Sequence, residues 1–223
     1  MTAAMARVAD DEAQDTRRAR ILDAAERCIV RAGFHRTTMQ DVAAEAGMSP
    51  GNLYRYFPSK DAIVAGLAER DRAELAADFT MLGEAGDVAA SFAELARKHF
   101  DEQPREKAVL CLEIWAEATR NPAFGAITAE FEREVTERLT DLFRGAQARG
   151  VIAAEVDLGM LVALISTLAN GLFARRAVVP GFCSEREIAA VMAVMDAAFK
   201  GRINLTSTPR ASGRGQDAPQ ETA

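Results

Sequence analysis

Asn52, Tyr54, Arg55, Tyr56 and Lys60 fall within nine residues of one another. Their side chains suit one chemistry, hydrogen bonding to the edges and phosphates of a nucleic acid. A guanidinium reads guanine bidentately and a carboxamide suits adenine, so Asn52, Tyr54 and Arg55 are the candidates for base contacts. Tyr56 and Lys60 are candidates for phosphate, as are Thr38 and Ser49 through a hydroxyl or a helix-end amide. Pro50 and Gly51 complete the candidate DNA-contacting set. The competing reading for each is a solvated surface side chain, and for Tyr54 packing onto the first helix.

Two short helices and a tight corner must position these groups. Met39, Val42, Ala43 and Ala46 recur at i, i+3, i+4 and i+7, which predicts one apolar helix face. Thr37 or Thr38 caps that helix, and Gly47 suits a left-handed end. Ser49 caps a second helix with Pro50 at its first position, where a missing N–H costs nothing. Leu53 and Phe57 point inward from it, and Pro58 ends it. Such a pair matches helix-turn-helix (HTH) logic, in which the first helix braces and the second enters the major groove.

Between Asp15 and Val64 the sequence resembles the TetR/AcrR-type transcriptional regulators. The resemblance rests on Gly33-Phe34, Thr37-Thr38, Val42-Ala43, Ala46-Gly47, Ser49, Gly51, Leu53-Tyr54, Tyr56-Phe57 and Lys60. It implies third-helix tyrosines at bases or backbone and the lysine at a phosphate. Tyr56 stands where many relatives carry histidine, and a phenol still donates to phosphate. The segment Ile114 to Pro122, IWAEATRNP, is also similar to the sixth helix of a subgroup that includes choline-responsive (BetI-like) regulators.

Charge is divided along the chain. The 223 residues carry 27 basic and 33 acidic side chains, a net charge of −6. Residues 16–60 hold eight basic and four acidic residues, which leaves 19 basic and 29 acidic for the remainder, or −10. A basic end on an acidic body is expected where one end meets phosphate. Cys28, Cys111 and Cys183 are too far apart for a zinc site and odd in number, so no disulfide framework and no metal are expected. With two histidines and no HExxH, GxSxG, P-loop or GxGxxG pattern, catalysis is not expected, nor is a cofactor. A helical adaptor that binds only proteins is the rival class. No signal peptide precedes the first helix, and the uncharged run Leu158 to Ala174 reads as a buried helix, so a cytoplasmic protein without a membrane partner is expected.

The predicted fold is all-α, with about nine helices. Residues 1–14 are expected to be a disordered arm, 15–61 the HTH DNA-binding domain, 62–204 a ligand-binding and dimerisation domain, and 205–223 a disordered tail. A fifth helix is predicted from Asp87 to about Gln103. Phe79, Phe92, Trp115, Phe131 and Phe173 are candidates to line a ligand pocket, with His99 and Asn170 orienting the ligand. Glu113 and Glu117 are weighed for the same role against a solvated helix face. Leu161, Ile165, Leu168 and Leu172 of the eighth helix, with Ile188, Met192 and Met195 of the ninth, are the candidate homodimer interface. The expected partners are a second copy, double-stranded operator DNA, and a small apolar or aromatic inducer that enters between helices four and eight and tilts the fourth helix as a lever.

Overall fold

Capping side chains begin most of the helices. The computed structural model describes residues 2–84 and 87–205. The described helices are α1 (Thr2–Ala32), α2 (Met39–Glu45), α3 (Pro50–Tyr56), α4 (Lys60–Glu84), α5 (Val88–Arg97), a π-helical turn (Lys98–Glu102), α6 (Arg105–Ala118), α7 (Pro122–Ala148), α8 (Leu158–Val178) and α9 (Ser184–Phe199). Thr38, Ser49, Asp87, Asn121 and Asp157 each accept a backbone N–H at the start of α2, α3, α5, α7 and α8. No strand occurs among the described residues.

Two large apolar clusters organise the chain. The first joins Ile21, Leu22, Ala25, Cys28 and Ile29 of α1 to Met39, Val42, Leu53, Phe57, Ile63 and Leu67. Leu110 from α6 and Phe124 from α7 are part of this same cluster, so the C-terminal helices reach into the core of the N-terminal unit. Gly66 lets α4 lie close: a Cβ there would stand 2.8 Å from the Phe57 ring and 3.1 Å from Leu22. That contact justifies a helix-interior glycine, which otherwise costs about 1 kcal/mol. The second cluster holds Phe79, Phe92, Leu139, Phe143, Ile152, Leu161, Ile165, Met195 and Phe199.

Several expectations change here. Residues 2–14 continue α1 instead of forming an irregular arm. The segment 2–32 has no glycine or proline and is rich in alanine and arginine, so helix propensity alone permits the extension. Of the expected tail only Leu205 is described: it is buried, and its carbonyl accepts the Asp157 N–H. Residues 206–223 lie outside the described residues. The fifth helix leaves α geometry at Lys98, and the π-helical turn puts His99 and Lys98 onto Asp78 of α4, at 3.1 and 2.6 Å.

Helix α8 is apolar all round, but it is not covered all round. By composition it is long and apolar enough to cross a membrane (mean hydropathy 1.5), and only 22% of that stretch is buried in one chain. Its inner face packs on α6, α7 and α9. Five of the seven side chains expected at the homodimer interface, Leu161, Ile165, Leu172, Ile188 and Met195, are buried within the single chain. Leu168 and Met192 are half-buried. Gly159, Ala163 and Thr167 are instead exposed on α8, and Ala189, Ala190 and Ala193 on α9. A helix apolar on every side carries no periodic signal of which face turns inward.

Candidate nucleic-acid interface

Local hydrogen bonds build the HTH unit. Thr38 closes a capping box at α2: its hydroxyl accepts the Asp41 N–H (3.1 Å) and donates to the Asp41 carboxylate (2.7 Å), which also accepts the Thr38 N–H (2.9 Å). These bonds hold the Asp41 carboxyl below its usual range. Gly47, at φ +64°, turns the chain sharply after α2. The Ser49 hydroxyl then accepts the Asn52 N–H at 3.3 Å, with Pro50 at the first position of α3. Leu53 and Phe57 are fully buried beneath α3.

That anchoring fixes the outer face of α3. Gly51, Tyr54 and Arg55 are exposed, Tyr54 at 47%. Arg55 makes no hydrogen bond or ion pair among the described residues, so its guanidinium is available. Asn52 and Tyr56 are half-buried, and Tyr56 leans on the core. Ser49 and Pro50 border this face at its start. The structure therefore brings together the expected set from Ser49 to Tyr56, with Thr38 already engaged as a cap.

The remaining basic residues act differently from expectation. Arg18 lies 4.6 Å from the Phe57 ring centroid and donates to the Tyr56 carbonyl at the end of α3. Arg20 donates through Nε to the Ala46 carbonyl (2.8 Å) and through Nη2 to the Gly47 carbonyl (3.2 Å), at the end of α2. A guanidinium at a helix C-terminus satisfies orphan carbonyls and suits the dipole. Arg27 and Arg31 pair with Glu45, whose carboxyl they hold low, and Arg36 donates to the Ala32 carbonyl. Lys60 donates to the Phe34 carbonyl (2.8 Å) and stands 4.2 Å from that ring's centroid. Of the eight basic residues in 16–60, Arg17 and Arg55 are left without such a contact among the described residues.

Residues 21–67 match the bacterial regulatory proteins of the tetR family, and residues 91–200 match the BetI-type transcriptional repressor C-terminal family. The HTH-type transcriptional regulator UidR of Escherichia coli K12 is 30% identical over 167 residues, which span 73% of this chain and 82% of UidR. The chain belongs to the TetR family. It is a transcriptional regulator of that family, similar also to an HTH-type transcriptional repressor of Mycobacterium tuberculosis, at 29% identity over 78% of this chain and 88% of that one. Among solved structures, Salmonella enterica GusR superposes with a TM-score of 0.72 at 26% identity, covering 82% of this chain and 95% of GusR.

Among the described residues, the side chains expected at a pocket fall in different parts of the body. Phe79 and Phe92 belong to the second apolar cluster, where Phe92 meets Phe143 at 5.6 Å. Phe173 packs on Phe100 (4.7 Å) and edge-on to Trp115 (6.4 Å), in a separate place. Asn170 is half-buried on α8. His99 is held by Asp78, and Arg176 of α8 donates to the His99 carbonyl. Phe131 lines a narrow seam between α4 and α7 with Arg72 and Leu75. A neighbouring open depression of about 280 Å³ is floored by Ala65, Ala68, Ala126 and Ile127.

Sequence reasoning placed Glu113 and Glu117 at a ligand or in solvent, and both instead face the N-terminal unit. Glu113 accepts the Phe34 N–H at 3.1 Å, and buried Glu117 lies 2.8 Å from His35 Nε2. A second junction joins Arg70 of α4 to Asp23 and Glu26 of α1, while Lys107 of α6 reaches Glu26 and Asp71. The available signal was two carboxylates spaced i, i+4 on an otherwise apolar helix, which demands a polar partner for that face.

Proposed function

We propose that the protein is a dimeric, ligand-responsive repressor that binds a two-fold symmetric operator in the cytoplasm. The observation that carries this reading is the outer face of α3, with Tyr54 exposed and the Arg55 guanidinium unpaired beside Asn52. Arg55 and Asn52 read base edges, while Tyr54, Tyr56 and the Ser49–Gly51 entrance fix the register on the backbone. Lys60 keeps N–H donors beyond the one given to Phe34, and these suit a phosphate. A second copy covers the exposed small-residue face of α8 and α9, which places two α3 helices on half-sites about one helical turn, roughly 34–36 Å, or a multiple apart. The regulated genes serve transport or metabolism of a small molecule. An apolar or aromatic inducer, held near the Phe100–Phe173–Trp115 cluster, favours a spacing that misses the half-sites.

Selection of bound duplexes from a random pool, followed by a salt titration, tests this. A palindromic sequence bound with strong salt dependence is expected, and Arg55→Ala should relax preference at particular bases, by about 1–3 kcal/mol per base pair. Absence of salt-sensitive DNA binding would leave the protein-binding adaptor as the better reading.

A further inference from the structure

The chain between α5 and α6 closes in a wider turn than either helix uses. The Gln103 N–H reaches back to the Lys98 carbonyl (3.1 Å), the i to i+5 spacing of a π turn, where an α-helix would use His99. This choice leaves the His99 carbonyl without a main-chain donor. Its α partner, the Gln103 N–H, is taken, and its π partner would be Pro104, which has no N–H. A side chain from another helix fills the gap. Arg176 of α8 donates through Nη1 to the His99 carbonyl (2.8 Å) and through Nη2 to the Gln103 carbonyl. A carbonyl shielded from water has to be paired, so the π register and the seated guanidinium support each other.

The register decides what the side chains of the turn meet. Lys98 and His99, adjacent in sequence, both reach the buried Asp78 of α4, at 2.6 and 3.1 Å. Phe100 is buried against Phe173 of α8 (4.7 Å), and Phe173 in turn meets Trp115 of α6. Asp101 accepts from Ser184 of α9 (2.6 Å). In an α register the Gln103 N–H returns to the His99 carbonyl. The turn then tightens by one residue, which rotates its side chains by about 100° across the junction. Lys98, His99 and Phe100 cannot all keep their partners through that rotation. The α register has no need of Arg176, because the His99 carbonyl then has its own donor. Seating Arg176 also has a cost: burial holds its guanidinium below its usual range, against the pull of Asp101 and Glu106. Both of its partners are neutral peptide carbonyls, so releasing them breaks no ion pair.

We infer that Arg176 is a positioning residue that latches the junction of α5 and α6 in its π register, with an α register as the alternative when the guanidinium withdraws. The latched turn pairs Asp78 and closes the Phe100–Phe173–Trp115 cluster. The released turn uncovers both. Phe173 lies three residues before Arg176 on α8, so the cluster and the latch are about one helical turn apart on the same helix. The switch goes beyond the proposed response to an inducer and does not depend on it.

The chain has two histidines and one tryptophan, so both sides of the turn can be read in the full-length protein. Nitrogen-15 spectra of the imidazole rings read His99, with His35→Gln assigning the other signal, and fluorescence emission reads Trp115. In Arg176→Met, which keeps an apolar stem, the His99 signal should leave its wild-type position for the one it takes in Asp78→Asn. Emission should move to the red as Phe100 leaves the cluster, with helicity by circular dichroism retained. Arg176→Lys reaches one carbonyl only and should move both readings part-way. A change of register must move His99 and Phe100 together, whereas packing lost around Arg176 alone need not reach Asp78. Wild-type values of both readings in Arg176→Met, or a change in one of them alone, overturn the inference. If Arg176→Met does not fold, Arg176→Lys decides by the same readings: both displaced supports the latch, and neither or only one displaced rejects it. Neither reading involves DNA, so failure of the duplex selection leaves this result standing, and loss of the latch leaves the DNA-reading assignment standing.

Discussion

Arg20→Ala is expected to loosen the corner between α2 and α3 without removing a phosphate contact. The Arg20 guanidinium spans the Ala46 and Gly47 carbonyls, the last acceptors of α2 and its turn. A hydrogen bond to a charged group contributes about 1.5–3 kcal/mol when buried. Arg20 itself is exposed and water can replace part of the bond, so about 1–1.5 kcal/mol is expected. For a chain of this length each kcal/mol moves the melting temperature by about 2–4 °C, giving a fall of roughly 2–6 °C. Operator affinity should fall because α3 is less well positioned. The dependence of log affinity on log salt should keep its slope, since a true phosphate contact contributes about 0.9 to it. Arg20→Lys should recover part of the stability, as an ammonium reaches one carbonyl but lacks the planar fork. Thermal melting and salt-series titration of wild type and variants decide the matter. An unchanged melting temperature with the slope reduced by about one per subunit would refute the clamp and return Arg20 to the DNA surface.

Lys60→Met keeps the aliphatic stem but removes the bond to the Phe34 carbonyl and the charge over its ring; a loss of about 1–2 kcal/mol is expected in the denaturant midpoint, and an unchanged midpoint would show the contact to be idle. Thr167→Asp, on the exposed side of α8, should split a particle of about 48 kDa into 24.1 kDa chains with helicity intact, while Ile165→Asp, 7% exposed, should unfold the chain; sedimentation and circular dichroism together separate these outcomes. Mildly alkaline alkylation of the native protein should label exposed Cys183 before either Cys28 or Cys111, because Cys28 is buried and burial pushes both of those thiols up, that of Cys111 to about 12. Mass spectrometry of the labelled peptides checks that order.

Local chemistry makes the HTH unit legible in the sequence. The spacing of Met39, Val42, Ala43 and Ala46, the Thr38 and Ser49 caps, Pro50 and the left-handed Gly47 each act within a few residues, and all appear as expected. The identity of the outward-facing Tyr54 and Arg55 follows from the inward Leu53 and Phe57 by helical period alone. The same local logic failed at the N-terminus, where the absence of an apolar period suggested an arm and uninterrupted helix formers extended α1.

Charge was less legible than pattern. The basic excess of residues 16–60 is real, yet most of it is spent on helix ends, on Glu45 and on Phe34, at partners 4 to 38 residues away in sequence. A side chain's charge is written in the sequence, but its partner is not. By itself the sequence determined the all-helical class, the HTH unit and the outward face of α3, because periodicity and capping are set by neighbours in the chain. Only the tertiary structure decided which face of α8 turns inward, that Arg18 and Arg20 brace the ends of α3 and α2, and that Glu113 meets Phe34 across 79 residues. Those outcomes depend on how separate helices dock, which short-range pattern does not encode.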